Sequence, residues 1–267
     1  IMRSGLVSLC VTSYNRPLLI KNCIESFFKT STYDSNNIEL IVVDNGSTDE
    51  RVLNYLNSLQ PNCADYKLIL NEKNDYPICT KYAKVQARRI AQGDYFIDSP
   101  DDHLFVVEDD WISRSISHIN SHNNVGCVIY YAYPFYRFKK QNNAMNPHEN
   151  NLEIYESLHK GYADYHIMAK ETYQELGEFK YELEAGYPLG KPGAESEYMK
   201  RAHAQGYRRN MLKYPVAIIN EEKYVLNKSL QKQDMVEAFE ALDRPASNEQ
   251  MLVWCMQKDS ITKSITI

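Results

Sequence analysis

The chain has 267 residues, 43% of them hydrophobic, and a formal net charge of −5, which allows one sizeable core and excludes global disorder. Its best short basic patch, Arg137, Lys139 and Lys140, reads as a solvated loop, so a nucleic-acid role is disfavoured. No apolar run approaches the ~20 residues that span a bilayer. The six cysteines are scattered, with no CxxC pair, and fit a reducing, cytoplasmic setting, with any membrane attachment left to a segment outside this chain.

Leu6–Val11 is an apolar run and a buried strand candidate. Asn15 is placed to cap the helix that follows, with Pro17 in its first turn and Leu19, Ile20, Cys23, Ile24, Phe27 and Phe28 at helical spacing. Ile38–Val43 is a second strand, ending in Asp44-Asn45-Gly46-Ser47-Thr48-Asp49, where Asn-Gly marks a tight turn. Tyr66–Leu70 is a shorter strand, and Pro77–Gln92 reads as a helix stopped by Gly93. Leu104–Val107 is read as the fourth strand, running into Glu108-Asp109-Asp110-Trp111, and a helix and the strand Val125–Tyr131 follow. The stretch from Phe135 to Leu158 is polar and looks like an excursion from the sheet. Beyond it come a strand to Ala169, helices from Glu171 to Leu176 and up to about Ala204, and a last strand, Val216–Ile219. Strands separated by helical segments predict an α/β fold with a mainly parallel sheet flanked by helices. Such sheets bind ligands beyond the carboxyl ends of their strands.

That rule singles out three places. Thr12, Tyr14 and Arg16 offer a hydroxyl, a ring and a cation after the first strand. Asp44 ends the second strand, where a carboxylate accepts hydrogen bonds from a base or a ribose; the plainer alternative is an Asx-turn that only shapes the loop. Glu108, Asp109 and Asp110 follow the presumed fourth strand. Adjacent carboxylates there repel one another, a bound cation relieves the repulsion, and hard oxygen ligands suit Mg²⁺ or Mn²⁺; the alternative is a solvated loop capping the next helix. A rival cluster, Asp98, Asp101 and Asp102, contains Pro100 and is read as a turn before that strand. Glu195 and Glu197 open a late helix, where one carboxylate can serve as a general base or both can simply complement the helix dipole.

From Val7 to about Ile219 the pattern resembles the family 2 glycosyltransferases of the GT-A (Rossmann-like) fold. Val7–Arg16 resembles the family's opening strand and donor loop, and Ile41–Asp49 its second-strand signature. Ala83–Ala87 with Ala91–Tyr95 resembles the helix before the metal strand, and Glu108-Asp109-Asp110 takes the place of the DxD motif. His166–Glu171 and Leu176–Phe179 look like the acceptor-side strand and helix, and Gly193–Tyr198 the Glu-Asp segment.

The resemblance implies a metal-dependent, inverting transfer of a sugar from a nucleotide-sugar donor, by default a UDP-sugar, to a glycan, lipid-linked or protein hydroxyl. It implies Asp44 at the base, Lys84 as a retained positive charge, Glu108 and Asp109 beside the ribose or sugar, Asp110 on Mn²⁺ or Mg²⁺, and Glu195 as catalytic base. Trp111, His166 and Glu197 are acceptor-side candidates. Asn220 is a candidate where relatives carry a late His. One domain is expected over 1–227, with a nucleotide-sugar half at 1–131 and an acceptor-side half at 132–227, followed by a helical tail at 228–267. A catalytically inactive binding module on the same fold is the principal alternative, and a nucleotidyltransferase a weaker one, since Val11–Pro17 holds no glycine. A dehydrogenase is disfavoured because no GxGxxG follows the first strand.

Overall fold

The computed structural model describes residues 5–105, 108, 110–133, 154–156, 165–186 and 193–219. The expected tail from residue 228, Asn220 and Asp109 lie outside them.

The first strand, β1 (Val7–Ser13), is buried at every position, as expected of a central strand covered on both faces. It is followed by α1 (Pro17–Thr30), β2 (Ile38–Asp44), α2 (Glu50–Ser58), β3 (Asp65–Leu70), α3 (Ile78–Ile90) and β4 (Tyr95–Pro100). Then come β5 (His103–Phe105), α4 (Trp111–Ser121), β6 (Val125–Tyr133), β7 (Ile154–Glu156), β8 (His166–Ala169), α5 (Lys170–Leu176), α6 (Ala194–Ala204) and β9 (Arg208–Ile219). A 3-10 turn, Tyr181–Gly186, precedes α6.

The sheet order is β3-β2-β1-β4-β8-β6-β9-β5, with β7 paired to β9. One half of the sheet, β3-β2-β1-β4, is parallel throughout, and β8 joins it antiparallel to β4. In register, Ser13 lies opposite Asp44, and Thr12 opposite Pro100. The carboxyl ends of β1, β2 and β4 therefore finish on one line.

Two layers of helices close the faces. On one side, Ile20, Ile24 and Phe27 of α1, Val52 and Leu56 of α2, and Trp111, Ile112 and Ile119 of α4 pack on Val7, Leu9, Val11 and Ile97. On the other, Ala83 and Ala87 of α3, Tyr173 and Leu176 of α5, and Tyr198 and Ala202 of α6 pack on Cys10, Ile41, Phe96 and Met168. Cys10 and Cys127 are core thiols, and burial pushes the Cys127 thiol up to about 12. Among the described residues no helix is long and apolar enough to cross a membrane.

The sequence reading needs correcting at β4. Asp98, read with Asp101 and Asp102 as part of a turn, lies inside Tyr95–Pro100, the fourth parallel strand, hydrogen-bonded along β1, while Asp101 and Asp102 do form a turn directly after it. The described part of the segment read as the fourth strand, His103–Phe105, pairs antiparallel with β9 at the sheet's other edge. Asp98 interrupts the apolar run that would have betrayed β4, and it is tolerated there because Arg88 of α3 is bonded to it.

Candidate active site

The site is built at the carboxyl ends of β1, β2 and β4. The loops after β1 and β2 are tied together by Asn15, which does not cap α1; Arg16 occupies that position. Asn15 has φ +50°, and its Oδ1 accepts from Thr48 N at 2.8 Å and Asp49 N at 3.0 Å, while its own N–H donates to Ser47 Oγ at 2.8 Å. Asparagine is one of the few residues that tolerates the left-handed region. Asp49 then caps α2 by accepting from Arg51 N.

Asp44 is buried, and Ser47 donates to it twice, from its N–H to Oδ1 at 2.7 Å and from its hydroxyl to Oδ2. This side-chain-to-backbone turn, spanning three residues, shapes the loop. Gly46, at φ +81°, completes it, and a Cβ there would stand 2.6 Å from the backbone of Lys73. The loops after β2 and β3 are thus in backbone contact.

Directly after β4, Asp101 is buried and accepts from Ser13 Oγ at 2.8 Å and from Arg16 Nη1 at 3.1 Å. Asp102 is half-buried, with Arg16 Nη1 at 4.0 Å and His103 Nε2 at 3.9 Å. Arg16 therefore reaches across from β1 to the acidic pair of β4. Tyr14, 40% exposed, stands in the same loop as Arg16.

A second charged cluster joins α3, β4 and α6. α3 presents Lys81, Lys84 and Arg88 at spacings of three and four, one face of a helix. Lys81 Nζ is paired with Glu195 Oε1; Lys84 Nζ lies 3.3 Å from the same oxygen and 3.8 Å from Asp98 Oδ2. Arg88 Nη2 donates to Asp98 Oδ2 at 2.6 Å and reaches His166 Nε2 at 3.0 Å. Burial alone would raise the Asp98 carboxyl, but Arg88 and Lys84 outweigh it and hold it below the usual carboxylate range.

The sequence matches the model of the glycosyl transferase family 2 over residues 8–177, well over half of the chain. The chain belongs to glycosyl transferase family 2. No curated protein matches its sequence. Among solved structures it is similar to S. aureus TarS 1–349 in complex with UDP-GlcNAc, at 15% identity and a TM-score of 0.59, covering 86% of this chain and 69% of that one. It is similar to the mannosyltransferase PcManGT of Pyrobaculum calidifontis in complex with GDP-Man and Mn²⁺, at 15% identity and 0.57, covering 97% and 74%. A third is GalNAc-T7 with UDP, GalNAc and Mn²⁺, at 14% and 0.58, covering 80% and 43%. At these identities the likeness is one of fold. The match to the longer S. aureus TarS structure covers 41% of that chain.

Within this family 2 fold, Thr12, Tyr14, Arg16 and Asp44 lie at the strand ends where they were expected, and Lys84 and Glu195 come together. Asp110 is exposed at the start of α4 and pairs with Arg114 Nη1 at 2.9 Å, a helix-terminus ion pair one turn apart. Glu108 is exposed, and it follows an edge strand, not a parallel strand facing β1.

Trp111 is 2% exposed, stacked on Phe105 at 6.4 Å and packed on Tyr130 at 5.3 Å, so its ring is core and offers no face to an acceptor. His166 is fully buried in β8 opposite Asp98, so it touches Arg88 and not an acceptor. Glu197 is half-buried, paired with Arg201 at 3.0 Å and Lys180 at 3.0 Å. Sequence reasoning missed Lys81 and Arg88, although their spacing with Lys84 carried the signal, and set Asp101 and Asp102 aside.

Proposed function

We propose that this family 2 member transfers a sugar from a nucleotide-sugar donor to a hydroxyl acceptor, with the donor held at the carboxyl ends of β1, β2 and β4. The observation that carries the reading is the adjacent pair Asp101-Asp102 at the end of β4, reached by Arg16 from β1. A divalent ion fits this pair better than it fits Asp110. Mg²⁺-like ions take one or two carboxylates and fill the rest of their shell with phosphate oxygens and water. Among the described residues no group of three or more His, Cys, Asp or Glu is placed to hold a metal by itself. Bound there, the ion would neutralise charge on the departing diphosphate. Arg16 supports the same charge from the protein side.

Asp44 shapes the loop through Ser47 and keeps acceptor capacity on both oxygens for a base or ribose donor. A uridine donor is the first choice. The TarS complex with UDP-GlcNAc and the PcManGT complex with GDP-Man make uridine and guanosine the two bases to compare. In our reading Glu195 takes the proton from the acceptor hydroxyl. The oxygen forms its bond to the anomeric carbon as the carbon–diphosphate bond breaks, and the electron pair leaves with the diphosphate, inverting the centre.

Calorimetric titration of UDP, GDP and dTDP, each with Mn²⁺ and with EDTA, tests the site. Binding of one nucleotide that needs Mn²⁺, is lost in Asp102→Asn and survives in Asp110→Asn is the expected result. The opposite pattern returns the metal to Asp110. No binding of any nucleotide to folded protein overturns the transferase reading.

A further inference from the structure

We propose that Asp98 is a positioning residue for Glu195, acting through Lys84, and that Arg88 and His166 hold Asp98 in place for that task. The inference rests on the reading of Glu195 as the base. Five side chains form an unbroken row, His166–Arg88–Asp98–Lys84–Glu195, with contacts of 3.0, 2.6, 3.8 and 3.3 Å, and Lys81 closes it on the far side of Glu195. Arg88, Asp98 and His166 are 2%, 1% and 0% exposed.

Burying a charged pair this deeply carries a large desolvation penalty, and an apolar pair of similar volume often serves stability as well. The row is therefore poor value as mere fold glue. Arg88 is further fixed between Tyr173 and Phe179, each ring centroid 4.7 Å from its guanidinium carbon. A clamped Arg88 fixes Asp98, and Asp98 sets where the Lys84 ammonium rests.

The consequence is chemical. A carboxylate gripped by two ammonium groups is a weak base, because both stabilise its charged form. Asp98 shares the Lys84 ammonium and so loosens its hold on Glu195. Among the described residues at the first turn of α6, Glu184 accepts from Ala194 N at 2.6 Å, and Glu197 faces Lys180 and Arg201. Without Asp98, the Lys84 ammonium leans more fully on Glu195 and the base weakens.

The test is carbon NMR of protein labelled at the glutamate carboxyl, with the Glu195 signal assigned by its absence in Glu195→Gln. In Asp98→Asn the Glu195 titration midpoint is expected to fall by about one unit, while the affinity for UDP with Mn²⁺ stays unchanged. Because Asp98→Asn leaves Arg88 buried with a weakened partner, the apolar pair Arg88→Met with Asp98→Leu is measured beside it and should move the midpoint in the same direction. An unchanged midpoint in whichever of these variants folds overturns the proposal. Nucleotide release from UDP-GlcNAc and GDP-mannose is followed in Glu195→Gln in parallel. Full turnover there would sink the base assignment, and the midpoint would still decide the coupling.

Discussion

Asn15 makes the sharpest prediction about how the donor end is assembled. Its side chain accepts two backbone hydrogen bonds from the neighbouring loop, at 2.8 and 3.0 Å, and its own backbone sits at φ +50°. A typical hydrogen bond contributes about 1 kcal/mol net, and a left-handed conformation costs an ordinary L-residue roughly 1–2 kcal/mol. Three substitutions separate these terms. Asn15→Asp keeps an acceptor oxygen and tolerates the conformation, so it should remain within about 1 kcal/mol of the parent. Asn15→Gly keeps the conformation and loses both bonds, costing about 2 kcal/mol. Asn15→Ala loses both and adds the strain, costing roughly 3–4 kcal/mol. Urea unfolding orders the three, and nucleotide titration should show affinity falling in the same order, since these loops carry Arg16 and Asp44. Equal stability of Asn15→Ala and Asn15→Gly would refute the strain assignment, and a parent-like Asn15→Gly would refute the staple.

Other perturbations follow from the same geometry. Trp111→Ala should cost about 3–5 kcal/mol as a buried aromatic removed from the core, while a folded Trp111→Phe should keep its acceptor affinity; selective loss of acceptor binding would restore the ring to the site. Gly46→Ala combines φ +81° with a Cβ 2.6 Å from the Lys73 backbone, and should lose at least about 2 kcal/mol by thermal unfolding. Burial, and then His122, lowers the His118 pKa below its ordinary 6.5. The unfolded chain therefore binds the proton first, so the His118 contribution is present above pH 6.5 and is lost as pH falls through the lowered value. His118→Gln should flatten the stability profile in that window, and an unchanged slope would count against the shift.

Elements with one clear period were legible in the sequence. β1, β2 and α1 announce themselves by apolar runs and by helical spacing after Pro17, and their observed bounds, Val7–Ser13, Ile38–Asp44 and Pro17–Thr30, lie close to the sequence reading. β9 was only half legible. It runs from Arg208 to Ile219, but polar Arg208, Arg209, Asn210 and Lys213 hide its first part, and the partners that make it a strand are β6 and β7, far away in sequence. Trp111 was named as an acceptor-side candidate beside an acidic run, and the contacts that turn its ring inward, with Phe105 and Tyr130, are not visible in the local sequence.

The exchange between the two acidic clusters has one physical source. A parallel strand is recognised by continuous apolar residues, and that criterion favours Leu104–Val107 over Tyr95–Pro100, whose middle carries Asp98. The chain tolerates the charge because Arg88, ten residues earlier on α3, is also buried and bonded to it. Each half of the pair looks wrong when read alone: an arginine on the inner face of a helix, an aspartate inside a strand. Read together they predict each other, since a buried charge needs an opposite one. The same pairing puts Asp101 and Asp102 just past the end of a strand next to β1, within reach of Arg16. It also leaves Asp110 as an exposed helix-terminal residue paired one turn on. A search for buried opposite charges on adjacent elements would have found β4 before any apolar count did.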